Sequence, residues 1–229
     1  MLIKAFLGLK YPDEFLVRFF FKENLFNKKG KVLELGAGNG VNLSLFFQYG
    51  WDITGVDLDK NSIEEANYNF ELIKKENKLI NPYSFYCDDM LNFLNKEIFK
   101  QNKYDILILA SSIYYLTYND IIKLFETIKE KKILYNNSFC FIRIRTKNDY
   151  RYGKGIKLDS NSYRLTIKET GEENCINTFF EEDEILSLLD KYIPLENPKK
   201  MELNFDNYQN GIKVSNSDLI IWGQVKKVL

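Results

Sequence analysis

Glu34, Gly36, Gly38 and Gly40, then Asp57, then the pair Asp88 and Asp89, have the types and spacing to hold a ribose-bearing ligand. Glycines let a backbone turn sharply and approach a ligand closely. A carboxylate at the end of the next strand can accept both hydroxyls of a ribose. The glycine spacing then discriminates between ligands. A dinucleotide loop of the form G-x-G-x-x-G seats a pyrophosphate on a helix N-terminus. Here the third small residue of that pattern would fall on Val41, and the third glycine is Gly40 instead. Glu34, two residues ahead of the first glycine, would repel a pyrophosphate and favour a cation.

The elements that must position these residues are legible around them. Val32 to Leu35 is a short apolar strand, Val41 to Tyr49 a helix, and Ile53 to Val56 a second strand ending on Asp57. Helix Asn61 to Lys75, strand Tyr83 to Cys87, helix Met90 to Leu94, strand Tyr104 to Ala110, helix Asn119 to Lys131 and strand Phe139 to Ile144 follow. Strands alternating with helices at this rhythm predict a parallel, doubly wound α/β sheet. The alternation stops at Thr146. Residues 146–178 read as an insertion, with a hairpin around Tyr163 to Ile167, before a helix at Glu181 to Leu189 and a final strand at Asp218 to Val225. Upstream, Pro12 is placed to open a helix over Glu14 to Leu25. The 229 residues are 45% hydrophobic, enough for one domain over 1–229, with residues 1–28 as an N-terminal helical segment.

The run E-x-G-x-G-x-G followed by G-V-D-L-D resembles the first two motifs of the class I S-adenosylmethionine-dependent methyltransferases. The resemblance covers Lys31 to Asp120 well and the last third only by layout. It implies a mostly parallel, Rossmann-like seven-stranded sheet whose last two strands are an antiparallel pair at one edge. It implies S-adenosylmethionine as cofactor, held by Glu34, Gly36, Ala37, Gly38, Asp57, Leu58, Asp89, Met90 and Ser111. Within C-D-D-M-L, Asp89 is the better match for the acid facing the adenine amine, because Met90 follows it; Asp88 is the alternative, and a plain helix N-cap is the competing role of Asp89. Asp59 is next in line should Asp57 not hold the ribose. After the fourth strand, A-S-S-I-Y-Y-L occupies the place where the family faces the transferable methyl. Ser111 and Ser112 are candidate hydrogen-bonding groups there, and Tyr114 and Tyr115 either line an acceptor pocket or are core residues. The N-terminal helix closes over the cofactor in many such enzymes and is expected here as a lid, although Phe15, Phe19, Phe20 and Phe21 load it heavily for a mobile element.

Composition narrows the chemistry. There is no histidine, which removes the usual general base and the commonest metal ligand, so no metal is expected. Tyr115 and Asp149 are the expected catalytic groups, with Asp149 and Glu172 the candidate bases for a hydroxyl acceptor. Lysine and asparagine are abundant throughout, whereas Arg143, Arg145, Arg151 and Arg164 fall in one segment with Lys147 and Lys154. Clustered guanidinium groups suit bidentate anion binding. Arg143, Arg145 and Arg151, with Tyr114, are therefore expected to hold a small anionic acceptor bearing a phosphate, phosphoramidate or carboxylate, for O-methylation; a solvated charged rim is the competing reading. Low-complexity enzymes of this size resemble those of bacterial capsule and surface-polysaccharide assembly. Equal numbers of basic and acidic residues give no field for nucleic acid, and no apolar run is long enough for membrane insertion. Protein or nucleic-acid methylation and a non-catalytic cofactor-binding partner are the rival functions. Three scattered cysteines, Cys87, Cys140 and Cys175, fit reduced thiols in a cytoplasmic protein.

Overall fold

The computed structural model describes residues 5–96 and 103–226. Parallel strands β1 (Lys31–Leu35), β2 (Asp52–Asp57), β3 (Tyr83–Cys87), β4 (Tyr104–Ala110) and β5 (Leu134–Thr146) lie in the order β3-β2-β1-β4-β5. Strand order reverses between β1 and β4, so a crevice opens beyond their carboxyl ends, the usual ligand position in such sheets. Alternation along β1 fills both faces. Leu33 and Leu35 join the core under helices α4 (Met90–Asn95), α5 (Tyr118–Glu130) and α6 (Glu182–Tyr192). Val32 joins the core under α1 (Glu14–Lys22), α2 (Val41–Gln48) and α3 (Lys60–Asn77).

The far edge is antiparallel. β10 (Ile212–Val225) pairs β5 from Asp218↔Arg145 to Gln224↔Phe139, and β9 (Leu195–Gln209) covers β10. These seven strands form the expected sheet with its antiparallel last pair. β9 was not apparent from the sequence: its outer positions carry Lys199, Lys200 and Glu202, as suits a solvated edge strand.

Three further strands build the insertion: β6 (Gly155–Lys157), β7 (Ser162–Leu165) and β8 (Ile176–Phe180). β6 and β8 both run antiparallel to β7. β4 releases β5 after Ala110↔Arg143, and β8 takes up β5 at Arg145↔Phe179. The insertion is thereby anchored on the crevice side of the sheet.

The lid expectation for the N-terminal helix is corrected. Asp13, not Pro12, starts α1, accepting the amides of Phe15 and Leu16 through Oδ1. Phe15, Leu16, Phe19 and Phe20 are buried. Phe19 lies 5.5 Å from Phe141 and Phe20 4.9 Å from Phe46, ring centre to ring centre. This apolar load fixes the helix as a core element. The segment ahead of it, Phe6 to Asp13, is what crosses the crevice.

Candidate functional site

The glycine loop hangs from the end of β2: the Gly36 and Ala37 amides donate to the Val56 carbonyl, at 2.8 and 2.9 Å. All three glycines have positive φ, a region costly for other residues. Their surroundings differ. A Cβ on Gly36 would collide with Ser112, and one on Gly40 with Phe70 and Phe85, whereas one on Gly38 would meet nothing within 4 Å. Packing therefore demands glycine at Gly36 and Gly40, and only Gly38 opens onto free space.

Two cavities meet at this loop, sharing Gly36 and Ser111. The second, about 320 Å³, is bounded by Asp57, Leu58, Asp88, Asp89, Met90 and Tyr115, among others. Asp57 accepts the Gly38 amide at 2.7 Å and the Asp59 amide at 2.9 Å. Asp59 itself caps α3. Asp89 caps α4, its Oδ1 accepting Leu91 and Asn92 at 3.0 Å each; its Oδ2 has no partner among the described residues. Asp88 pairs with Lys96 at 2.5 Å. Ser112 is turned away, donating to the Leu35 carbonyl at 2.6 Å, while Ser111 is held at φ 56° where both cavities join. Such a strained backbone at a cavity junction is characteristic of functional positions.

The first cavity, about 470 Å³, runs from Gly36, Ala37 and Gly38 to Asn42, Glu65 and the N-terminal segment. Asn39 holds that segment by donating to the Leu7 and Leu9 carbonyls at 2.6 and 2.8 Å, and the Leu7 amide donates to Asn69 at 2.9 Å. Gly8, Leu9, Tyr11 and Asp13 thus form a roof over the loop. Glu65 on this wall has no hydrogen bond or ion pair among the described residues. These asparagines and the roof were missed in the sequence, because asparagine is so frequent throughout the chain that no single one stands out. The glycine loop was the only signal pointing to them.

Glu34 differs from expectation. Alternation turns it toward α2, where it is fully buried beneath the loop and lines neither cavity. It accepts the Asn42 side-chain amide at 2.7 Å, and Asn42 in turn accepts the Asp13 amide at 2.9 Å. Burial pushes its pKa up to about 8 against the bond from Asn42, with Asp57 and Asp13 adding to the rise. Glu34 is therefore mostly protonated at neutral pH and presents no fixed negative charge to a ligand.

The arginines differ too. Arg143 lies between Asp13 and Asp218, 2.5 Å from each. Arg145 pairs with Glu172 at 2.9 Å, bonds Asn177, and stacks its guanidinium 4.3 Å from the Tyr114 ring centre. Arg151 is held by Asp149, Glu172 and Asn216. Arg164 is exposed and donates to the Asn174 carbonyl; Lys147 pairs with Glu184, and Lys154 sits over the Tyr150 ring. Arg143, Arg145 and Arg151 are each satisfied by carboxylates of this chain, so no preformed anion clamp exists among them. Neither cavity is lined by a lysine or arginine among the described residues.

The expected catalytic groups, Tyr115 and Asp149, and the second candidate base, Glu172, are likewise committed. Asp149 is buried, its oxygens accepting Arg151 and the Ser217 amide. Tyr115 lines the second cavity and donates to Glu172 at 2.7 Å; burial, with Tyr114 and Glu172 alongside, raises its pKa, so it is a neutral phenol and no base. Burial pushes Glu172 upward, but Arg145, Tyr115 and Arg151 outweigh it and leave its pKa lowered. Tyr114 is buried against Arg145. No cluster suited to a metal ion occurs among the described residues, none of their helices could cross a membrane, and all three cysteines are free.

A methyltransferase domain model matches residues 7–192. Among solved structures, an S-adenosylmethionine-dependent methyltransferase from Methanosarcina mazei superposes with a TM-score of 0.68 at 17% identity, covering 90% of this chain and 98% of its own. TehB from Haemophilus influenzae gives 0.64 at 18% identity, covering 98% of this chain and 65% of its own. The 1,6-didemethyltoxoflavin-N1-methyltransferase of Burkholderia thailandensis, solved with its substrate and S-adenosylhomocysteine, gives 0.59 at 13% identity, covering 93% and 78%. No curated protein matches significantly.

Proposed function

The chain belongs to the methyltransferase-domain family and has the fold of its S-adenosylmethionine-dependent members, and from that premise we propose that it methylates a neutral hydroxyl or amine of a small acceptor that carries no negative charge. The cofactor supplies a methyl group on a cationic sulfur. The residues present suit it: Gly38 leaves open space beside the loop, and Asp57 and Asp89 stand at the ends of the strands flanking the second cavity with acceptor capacity remaining. In this reading Gly36, Ala37, Gly38 and Ser111 border the methionine end, Asp57 and Leu58 the ribose, and Asp89 and Met90 the adenine. Glu34 acts from below, by fixing Asn42.

The observation that carries the acceptor class is the lining of the first cavity, where Glu65 contributes a carboxylate without a partner among the described residues and no lysine or arginine lines the wall, Asp13 being already taken up by Arg143 and the first amides of α1. Such a wall repels an anion and favours a hydroxyl or an amine. Alignment of the acceptor with the methyl supplies most of the rate in such a displacement, and the proton that a hydroxyl or amine gives up as the methyl–oxygen or methyl–nitrogen bond forms and the methyl–sulfur bond breaks has Glu65 on the same wall to receive it. An anionic acceptor, the expectation drawn from the clustered arginines, would have to displace Asp13 or Asp218 from Arg143. Neither that class nor a role in capsule assembly gains support from this geometry. Labelled S-adenosylmethionine offered with matched panels of amines, neutral alcohols, phosphates and carboxylates tests the proposal. Label in amines or alcohols supports it. Label confined to the anionic panel overturns it, and cofactor binding without transfer to any acceptor favours a non-catalytic partner protein.

A further inference from the structure

Glu172 joins three separate parts of the chain. It lies in the segment joining β7 to β8, yet its Oε1 meets both Arg145 on β5 and the Tyr115 hydroxyl, while its Oε2 takes Arg151. Tyr115 belongs to the 3-10 turn after β4 and is the only one of these four residues that lines a cavity. Its ring is also held from behind, packed 4.7 Å from that of Tyr114, which Arg145 in turn covers.

We infer that Glu172 is a positioning residue for the cofactor: by accepting the Tyr115 hydroxyl it fixes Tyr115 as a wall of the second cavity, and so couples the 146–178 insertion to cofactor binding. A phenol whose proton is given to a carboxylate offers the site acceptor capacity only, which suits a ligand carrying positive charge. The two arginines keep Glu172 ionised and in place, so this contact is tied to both the insertion and the end of β5. The inference rests on the second cavity being the cofactor site.

S-adenosylhomocysteine titrated calorimetrically into the full chain tests it without knowledge of the acceptor. Tyr115→Phe keeps the ring and both arginine pairs and removes only the bond. Glu172→Gln keeps an acceptor for Tyr115 while weakening its hold. Each is expected to weaken binding about three- to tenfold, with the double variant no more than about twofold worse than the poorer single one, because both break one link. Tyr150→Phe breaks a similar bond, to Glu169 within the same insertion, away from both cavities, and is expected to leave affinity unchanged while thermal midpoints record any loss of stability. Singles within twofold of wild type, losses that multiply in the double variant, or an equal loss in Tyr150→Phe would overturn the inference. Wild-type chain that fails to bind S-adenosylhomocysteine overturns the cofactor-site reading as well.

Discussion

The crevice over β1, β2 and β4 and the platform at the end of β5 both face the carboxyl side of one sheet, yet they treat polar groups oppositely. Around the glycine loop, bonding capacity is left over: Gly38 borders open space, Asp89 Oδ2 and Glu65 lack partners among the described residues, and Ser111 is held in a strained conformation. At the platform every arginine that the sequence offered as a ligand is already answered by a carboxylate. A buried charge removed from water must be paired, and this chain supplies the partners from Asp13, Asp149, Glu172 and Asp218. Residues kept for a ligand are recognised by what they leave unsatisfied, not by their charge.

The comparison can be broken first at the base both regions share. Phe19 is buried and packs on Phe141 and Trp222, so Phe19→Ala is expected to cost about 3–5 kcal/mol in urea unfolding. A loss near zero would return α1 to the role of a mobile lid.

Glu34 sharpens the comparison, being a fully buried acid on the crevice side with no cation against it among the described residues. Its folded pKa, about 8, stands above its ordinary value of 4.5. The folded state therefore binds the extra proton, and the stability Glu34 contributes is full below about pH 4.5 and is lost as pH rises toward 8. Glu34→Gln is expected to flatten that decline, so that the variant gains on wild type from pH 5 to 8.5 in parallel denaturation curves. Parallel stability profiles would place a charged Glu34 beneath the loop.

Smaller is the effect at the ligand itself. Asp57→Ala is expected to weaken S-adenosylhomocysteine by about 1.5–3 kcal/mol, the scale of hydrogen bonds to a charged group. An unchanged dissociation constant would move the ribose contact elsewhere on the cavity wall, since Asp59 is occupied in capping α3.

The crevice was legible in sequence because its signals are local: glycine at obligatory positive φ, an apolar strand, and an acid at a strand end lie within one βαβ unit. The platform was not, because its meaning depends on partners far along the chain. Arg143 meets Asp13 and Asp218, 130 and 75 residues away, and nothing near Arg143 announces either. The insertion hairpin was anticipated at Tyr163 to Ile167, but β8, which ties it to β5, was hidden in a segment without clear alternation. The roof over the loop escaped for a different reason, since Asn39 and Asn69 were lost among many asparagines of no evident role.

Whether the arginines build the protein or bind its substrate is decided most directly by equilibrium urea unfolding of Arg145→Ala. The variant leaves the half-buried Glu172 with only Arg151 and Tyr115 beside it, and losing a hydrogen bond to a charged group costs roughly 1.5–3 kcal/mol. The predicted result is a loss of that size at neutral pH in the absence of any ligand. Wild-type stability would contradict it, and Arg145 would then be a side chain held ready for an anion.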